Sequence, residues 1–509
     1  MLARVWSAAI IGIEAVQVGV EVDVTGGLPT VVIVGLPDTA VQESRERVKA
    51  ALKNSGYAFP MRKVVINLTP ADLRKEGPSF DLPIGVGILA ASEQIDPQLL
   101  EDHLFLGEVS LDGNLRAVSG VLPIAASAIK MGIKGLIVPL ENAQEAAVVK
   151  GLKVYGLSNL RQVGDFLTNP DKYIPVISNI NFDQDLVPSE FQLDLKDVKG
   201  QQHARRALEI AASGGHNLVF VGPPGSGKTL LARRLPSILP PMSFQEALET
   251  TQVYSVAGLL KGRGLVCDRP FRSPHHSASG PSLVGGGSFP RPGEISLASN
   301  GILFLDELTE FKRDVLEFLR QPLEDGFVSI SRTRQSVTFP ARFTLVASTN
   351  PCACGYYGDS IQQCTCTSKQ REQYWAKLSG PLMDRIDLQV IVSRLKPEEI
   401  TNFSEGEPSA SVRSRVQQAR IIQQQRYKNE LNINCNAQMQ SRQIRTWCQL
   451  DTACKNLIEA AIRKLGLSAR ASDRILKVAR TIADLEKSEL LTPAHVAEAI
   501  QYRTLDRVT

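Results

Sequence analysis

Leu218-Val-Phe-Val221, then Gly222-Pro-Pro-Gly-Ser-Gly-Lys228-Thr229, then Leu230-Leu231-Ala232 is the stretch on which the fold turns. The apolar run reads as a buried strand, the glycines as a tight loop, and the leucines as the first turn of a helix. Backbone N–H groups of such a loop turn inward onto phosphate oxygens, and the helix N-terminus adds positive potential. Within the loop formed by Gly222, Pro223, Pro224, Gly225, Ser226, Gly227, Lys228 and Thr229, the lysine is set to reach the β- and γ-phosphates. The Thr229 hydroxyl is set to hold Mg2+. The pattern predicts a nucleoside-triphosphate site on a strand–loop–helix unit, and so an α/β fold.

Two later strands supply the rest of such a site. Gly301-Ile-Leu-Phe-Leu305 ends in Asp306-Glu307, so that Asp306 is expected to hold Mg2+, directly or through water, and Glu307 to orient and polarise an attacking water. Phe343-Thr-Leu-Val-Ala347 runs into Ser348-Thr349-Asn350, which puts Asn350 at the same edge as a γ-phosphate sensor. Further on, Ser379-Gly-Pro-Leu-Met-Asp384-Arg385 places an arginine on a short polar turn. Arg385 is either a finger donated to a neighbouring subunit's ATP or one arm of a surface salt bridge with Asp384 or Asp387.

Working outward, 509 residues with 43% hydrophobic and 22% charged side chains fit a soluble globular chain of several units rather than a disordered one. A net charge of +4 over this length excludes a chain that is basic throughout, so any nucleic-acid contact has to be local. Gly12 and Glu14 interrupt the first apolar run, no small-residue cleavage site follows, and no run approaches the roughly 18 apolar residues of a membrane span. Eight cysteines without a secretory signal point to a reducing compartment. The expectation is a cytoplasmic protein with no membrane contact.

Residues 1–167 alternate short strands with helical patterns: Val18, Val20, Val22 and Val24 share one face, strand patterns recur at Thr30–Val34 and Val64–Leu68, and the Asp112-Gly113 turn suits a tight hairpin. Val41–Leu52 has helical periodicity. Residues 168–194 are polar and proline-bearing, as in a linker. Residues 195–395 carry the nucleotide-binding pattern, and 396–509 are mostly helical, with the basic run Arg413, Arg415, Arg420, Arg426 and Lys428 read as either a solvated face or phosphate contacts.

Several of these segments together resemble the AAA+ ATPases, and more narrowly the magnesium-chelatase-like ComM/YifB family. The resemblance rests on Gly222–Thr229, Phe271-Arg-Ser-Pro-His-His-Ser-Ala-Ser279, Gly285-Gly-Gly287, Pro292-Gly-Glu-Ile-Ser-Leu297, Phe304-Leu-Asp-Glu307 and Asn350-Pro-Cys-Ala-Cys-Gly355. It implies a central AAA+ P-loop domain with a helix-2 insert, a hairpin before the sensor strand, and a C-terminal helical lid. The hairpin resembles Phe327–Phe339, with Arg332 and Arg334 near its tip available to grip DNA phosphates without reading sequence. In ring helicases of related build such a hairpin faces the central pore, and His275 and His276, in the insert, either line that pore or pack structurally. In the lid, Gly466-Leu-Ser-Ala-Arg470 resembles the second sensor, with Arg470 reaching the phosphates and Arg474 as its substitute.

The N-terminal unit resembles the proteolytic domain of Lon-type proteases, an S5-like α+β fold, through Lys75-Glu-Gly-Pro-Ser79, Gly107-Glu-Val-Ser-Leu111, Gly132-Ile-Lys134 and Ile137-Val-Pro139. Ser79 falls where that family has its nucleophile, but the partner lysine's place in Ser119–Ile124 is taken by Leu122. The expectation is a retained fold without peptidase activity. Cys352-Ala-Cys354 and Cys364-Thr-Cys366 give four thiols for a structural Zn2+, or four reduced cysteines. Taken together, the resemblance implies an ATP- and Mg2+-dependent ring motor on single-stranded or branched DNA, a homo-hexameric helicase promoting branch migration in recombination or natural transformation. The alternative is a magnesium-chelatase motor subunit or another protein-remodelling ATPase, against which the Lon-like unit speaks.

Overall fold

The structure is a computed structural model that describes residues 2–178, 193–260, 264–287, 290–332, 335–395, 406–430 and 433–503, with only the backbone of Arg332 and Gln335. The strand Glu14–Thr25 buries Val18, Val20 and Val22 and leaves Glu21 and Asp23 half-exposed, as its alternation requires. It pairs antiparallel with Leu2–Ile11 across the turn at Gly12, and with Lys63–Thr69 on its other side. The complete order is Val31–Val34, Lys63–Thr69, Glu14–Thr25, Leu2–Ile11, His103–Phe105, Gly135–Pro139, Lys153–Leu157. Glu108–Val109 and Leu115–Arg116 form the hairpin expected around Asp112-Gly113, with Val109 opposite Leu115.

Helices cover both faces of this sheet. Thr39–Asn54, capped by the Asp38 carboxylate on Val41 N–H at 2.7 Å, packs with Asp81–Ala91 and Leu160–Thr168 on one face. Val121–Lys130 and Ala143–Ala147 cover the other. Asp81–Ala91 is buried along its whole length. Its one charged side chain, Asp81, is compensated by Arg47 Nε at 2.8 Å, Arg47 Nη2 at 2.9 Å and Val109 N–H at 3.2 Å.

Among the described residues the second sheet has five strands, all parallel: Phe271–Arg272, Ile302–Leu305, Thr344–Thr349, Leu218–Val221, Leu388–Ile391. Leu218–Val221 lies between strands that come later in the chain, which opens a crevice at its carboxyl end where ligands of such sheets bind. Phe327–Arg332 and Gln335–Pro340 form the expected antiparallel hairpin, with Val328, Ile330, Val337 and Phe339 buried and Ser329, Ser331, Ser336 and Thr338 exposed. Arg334 lies outside the described residues. The C-terminal helices Ser409–Arg426, Ser441–Trp447, Thr452–Leu465, Ala469–Leu485 and Pro493–Gln501 share one core with the helix Gln202–Gly214 and one face of the sheet. No helix among the described residues is long and apolar enough to cross a membrane.

The two sheets are joined by a small core of their own. Leu122 and Val148 from the N-terminal unit pack with Met242, Ala247 and Leu265. Beside it, Glu145 accepts Leu122 N–H at 3.0 Å, Asn142 Nδ2–H at 3.3 Å and the Ser255 hydroxyl, while Gly120 N–H donates to Ser255 O at 3.1 Å. Burial pushes the Glu145 carboxyl above its ordinary range, against the pull of those donors. The residue standing in place of a Lon-type lysine is therefore fully buried where the N-terminal unit meets the helix Phe244–Val256. Ser79 sits apart in the turn Pro78–Phe80.

Candidate active site

The loop after Leu218–Val221 is built to approach a ligand closely. Gly225 and Gly227 have φ of +77° and +92°, and among the described residues nothing lies within 4 Å of a Cβ placed at either. Lys228 opens the helix Lys228–Ala232, and its Nζ donates to Gly222 O at 2.6 Å, Pro223 O at 2.9 Å and Asn350 Oδ1 at 3.2 Å. Burial lowers the Lys228 pKa, and the carboxylates of Asp306 and Glu307 work the other way. These are neutral acceptors, which an anionic oxygen would outcompete for the ammonium.

The pair expected to hold Mg2+ also meets. Thr229 Oγ1, in the first turn of the helix Lys228–Ala232, donates to Asp306 Oδ2, just past the strand Ile302–Leu305, at 2.9 Å. Asp306 Oδ1 takes the Ser348 hydroxyl and Glu307 N–H, the latter at 3.2 Å. A hydroxyl and a carboxylate converging in this way suit a hard cation with oxygen ligands. Ser348 is the contributor that the sequence did not single out: it holds Asp306 and also accepts Glu307 N–H at 3.3 Å. Glu307 has φ +55° and ψ 52°, a left-handed conformation costly for a side-chain-bearing residue, and its carboxylate stands free of the sheet. His276 Nδ1 lies 3.8 Å from Glu307 Oε2, so the insert reaches this carboxylate. Behind the strand, the hydroxyls of Thr309, Thr349 and Tyr374 form a buried network that fixes Thr349 next to Asn350.

The remaining arginines lie elsewhere. Arg385 is nearly buried, donates to Pro381 O at 2.7 Å and pairs with Glu324, rather than with Asp384 or Asp387. Asp387 belongs instead to Arg474. Burial opposes the Asp387 charge, but Arg474 and His216 outweigh it and hold the carboxyl far below its usual range. Arg470 is exposed in a cavity of about 730 Å³, which Glu324, Arg474, Asn217, Gly301 and Thr344 also line. Asn217, Gly301 and Thr344 are where strands of the sheet begin. Arg470, expected at the phosphates, is thus at the opposite end of the sheet from Lys228 of its own chain. The arginines of the run on Ser409–Arg426 are held by neighbouring elements, Arg415 pairing with Glu209 and Glu407, Arg426 with Asp484, and Arg420 donating to Ala212 O at 3.1 Å, while Lys428 just past the helix is exposed.

Comparison with known proteins gives three family matches: subunit ChlI of magnesium chelatase over residues 194–400, its C-terminal part over 406–503, and a further ChlI description over 20–142. Competence protein ComM of Haemophilus influenzae is 46% identical over 510 residues, covering 100% of this chain and 98% of that one. The chain belongs to the ComM/YifB family of magnesium-chelatase-like AAA+ proteins. The uncharacterized protein YifB of Escherichia coli, another ComM/YifB protein, is 44% identical over 512 residues with the same coverage. Lon protease 2 of Bacillus subtilis is 30% identical over 131 residues, 25% of this chain and 23% of its own, which agrees with a Lon-like N-terminal unit in this ComM/YifB protein. An AAA+ ATPase implies ATP and Mg2+ as ligands, and the Thr229–Asp306 pair fits the cation. On this geometry Lys228→Ala leaves a loop without its phosphate-binding cation, and the variant is expected to bind a fluorescent ATP analogue at least about tenfold more weakly by titration.

Proposed function

We propose that this ComM/YifB protein is an ATP-driven ring motor acting on DNA, a homo-hexameric helicase that promotes branch migration in recombination or natural transformation, working in the cytoplasm. The observation that carries the reading is the division of charged groups between the two ends of the five-stranded sheet. Lys228, Asn350, Thr229, Asp306 and Glu307 stand at the carboxyl end, while Arg385 and Arg470 stand at the amino end. A transition state for phosphoryl transfer needs positive charge from both sides. One chain supplies the first set and its neighbour the second. Arg385 leaves Glu324 as the neighbour's phosphates come within reach, and Arg470, from the lid, joins it.

Within one site, Lys228 draws the terminal phosphates and Asn350 senses the last of them. Mg2+, when bound there, would neutralise phosphate charge. Thr229 and Asp306 hold that cation, Ser348 keeps Asp306 oriented, and Glu307 takes a proton from the attacking water. Full-length similarity to a competence protein supports DNA as the track. The hairpin Phe327–Pro340 is the element proposed to meet it, through Arg332 and Arg334.

The deciding experiment is the steady-state ATPase rate with and without single-stranded and branched DNA, alongside mass measurement in the presence of ATP. Stimulation by DNA and a six-chain mass are expected. Arg332→Ala combined with Arg334→Ala should weaken DNA binding and lower the slope of log affinity against log salt by about 2. An ATPase indifferent to every DNA tested would redirect the search to a protein partner.

A further inference from the structure

Cys352, Cys354, Cys364 and Cys366 come together so that their four sulfurs all lie within 4.8 Å of one another. Three of the separations are 3.3, 3.5 and 3.7 Å. Four thiolates about 2.3 Å from a tetrahedral Zn2+ stand roughly 3.8 Å apart, so the cluster is already close to a zinc-bound geometry. Two backbone donors point at the sulfurs, Cys354 N–H at Cys366 Sγ, 3.3 Å, and Cys366 N–H at Cys364 Sγ, 3.4 Å, as expected around a site of negative charge. All four cysteines are free of disulfides.

The knot is wedged into the nucleotide site. Cys352 follows Asn350-Pro351, whose Asn350 Oδ1 is the Lys228 partner. Gly355 runs so close to the phosphate loop that a Cβ there would come within 2.9 Å of Pro224 Cδ and 3.1 Å of Pro224 Cγ. From the other side the knot is clamped: Trp375 Nε1–H donates to Pro351 O at 3.1 Å, Arg371 Nη1–H to Cys366 O at 2.9 Å, and the buried Asp359 carboxylate lies 3.5 Å from Arg394 just past the last strand.

We propose that the four cysteines bind one Zn2+ as a tetrathiolate, each thiol giving its proton to solvent, and that this metal knot sets the position of the phosphate loop and of Asn350. The second half rests on the reading of 222–229 as the nucleotide loop. Without the metal, the segment between Cys354 and Cys364 loses its closure, Gly355 withdraws from Pro224, and the loop that must wrap the phosphates loses its backing.

The test uses the full chain, purified without chelator from zinc-supplemented medium. Its zinc content is measured by elemental analysis, and the affinity for a fluorescent ATP analogue by titration. The wild-type chain is expected to hold one zinc. Cys364→Ser with Cys366→Ser should lose the zinc and bind nucleotide about tenfold or more weakly. Gly355→Ala, strained at φ +87° and pressed on Pro224, should keep the zinc yet still bind nucleotide more weakly, and it decides the matter if the serine variant fails to fold. A zinc-free wild-type chain overturns the metal assignment. Wild-type nucleotide affinity in both variants overturns the buttress. A chain that holds zinc and binds no nucleotide at all overturns the nucleotide reading and the buttress with it, and leaves the zinc assignment standing on its own count.

Discussion

Glu307→Gln binds ATP as the wild-type chain does and turns it over about a hundredfold to ten-thousandfold more slowly, the loss expected when a positioned general base is removed. Glutamine keeps the size of the side chain and leaves the backbone N–H bonds to Asp306 and Ser348 in place, so the left-handed turn at 307 survives. Lys228, Thr229 and Asp306, the residues proposed to meet the phosphates and the cation, are untouched. What disappears is the carboxylate that takes the water's proton. Single-turnover measurement separates the steps: burst-free, slow hydrolysis with normal nucleotide affinity is the expected result. Undiminished hydrolysis would assign water activation to another group, and His276, across from Glu307, would be the first to examine.

The second large effect is structural. Leu122→Asp is expected to lower stability by more than about 4 kcal/mol, because it puts a second carboxylate next to Glu145 in a core made by Val148, Met242, Ala247 and Leu265. The Lys130→Asp control, on the exposed end of the same helix, should stay within about 0.5 kcal/mol of wild type. Urea unfolding followed by limited proteolysis between the two units checks both. An unchanged midpoint for Leu122→Asp would mean that the N-terminal unit and the helix Phe244–Val256 are not held by this contact. A peptidase lysine could not be restored at 122 without the same cost, since the position has become a joint between units.

The strand–loop–helix unit at 218–232 was legible because its strand, glycines and lysine are contiguous, so local chemistry alone fixes their relation. Asp306 and Asn350 were legible for a related reason: each terminates an apolar run, and parallel strands bring their carboxyl ends to one edge. The hairpin at 327–340 and the valine-rich strand at 14–25 followed from alternation. The end of the sheet at which Arg470 lies was not legible, because a sequence offset does not say where a distant helix docks. The Ser409–Arg426 arginines were misread for a similar reason: their partners, Glu209 and Asp484, lie on helices far away in the chain. His276 beside Glu307 depends on how an insert folds back, and Asp81–Ala91 has no amphipathic rhythm because it is buried all round. The joint at Leu122 had one signal, an apolar residue where the Lon resemblance calls for a cation, and its meaning needed the neighbouring helix.

The placement of Lys228 and Arg385 at opposite ends of one sheet gives the molecule a direction. Under the proposed sharing of sites, each copy receives at one face and gives at the other, so a two-fold pair could complete at most one kind of contact. Copies must stack head to tail and then close into a circle, or run on as a filament. In such a circle a single Arg385→Ala copy leaves its own pocket intact and silences the pocket next door, whereas a single Lys228→Ala copy does the reverse. Mixed with wild-type chains, the two defects fall on different members of the circle, and a copy carrying both silences two pockets at once.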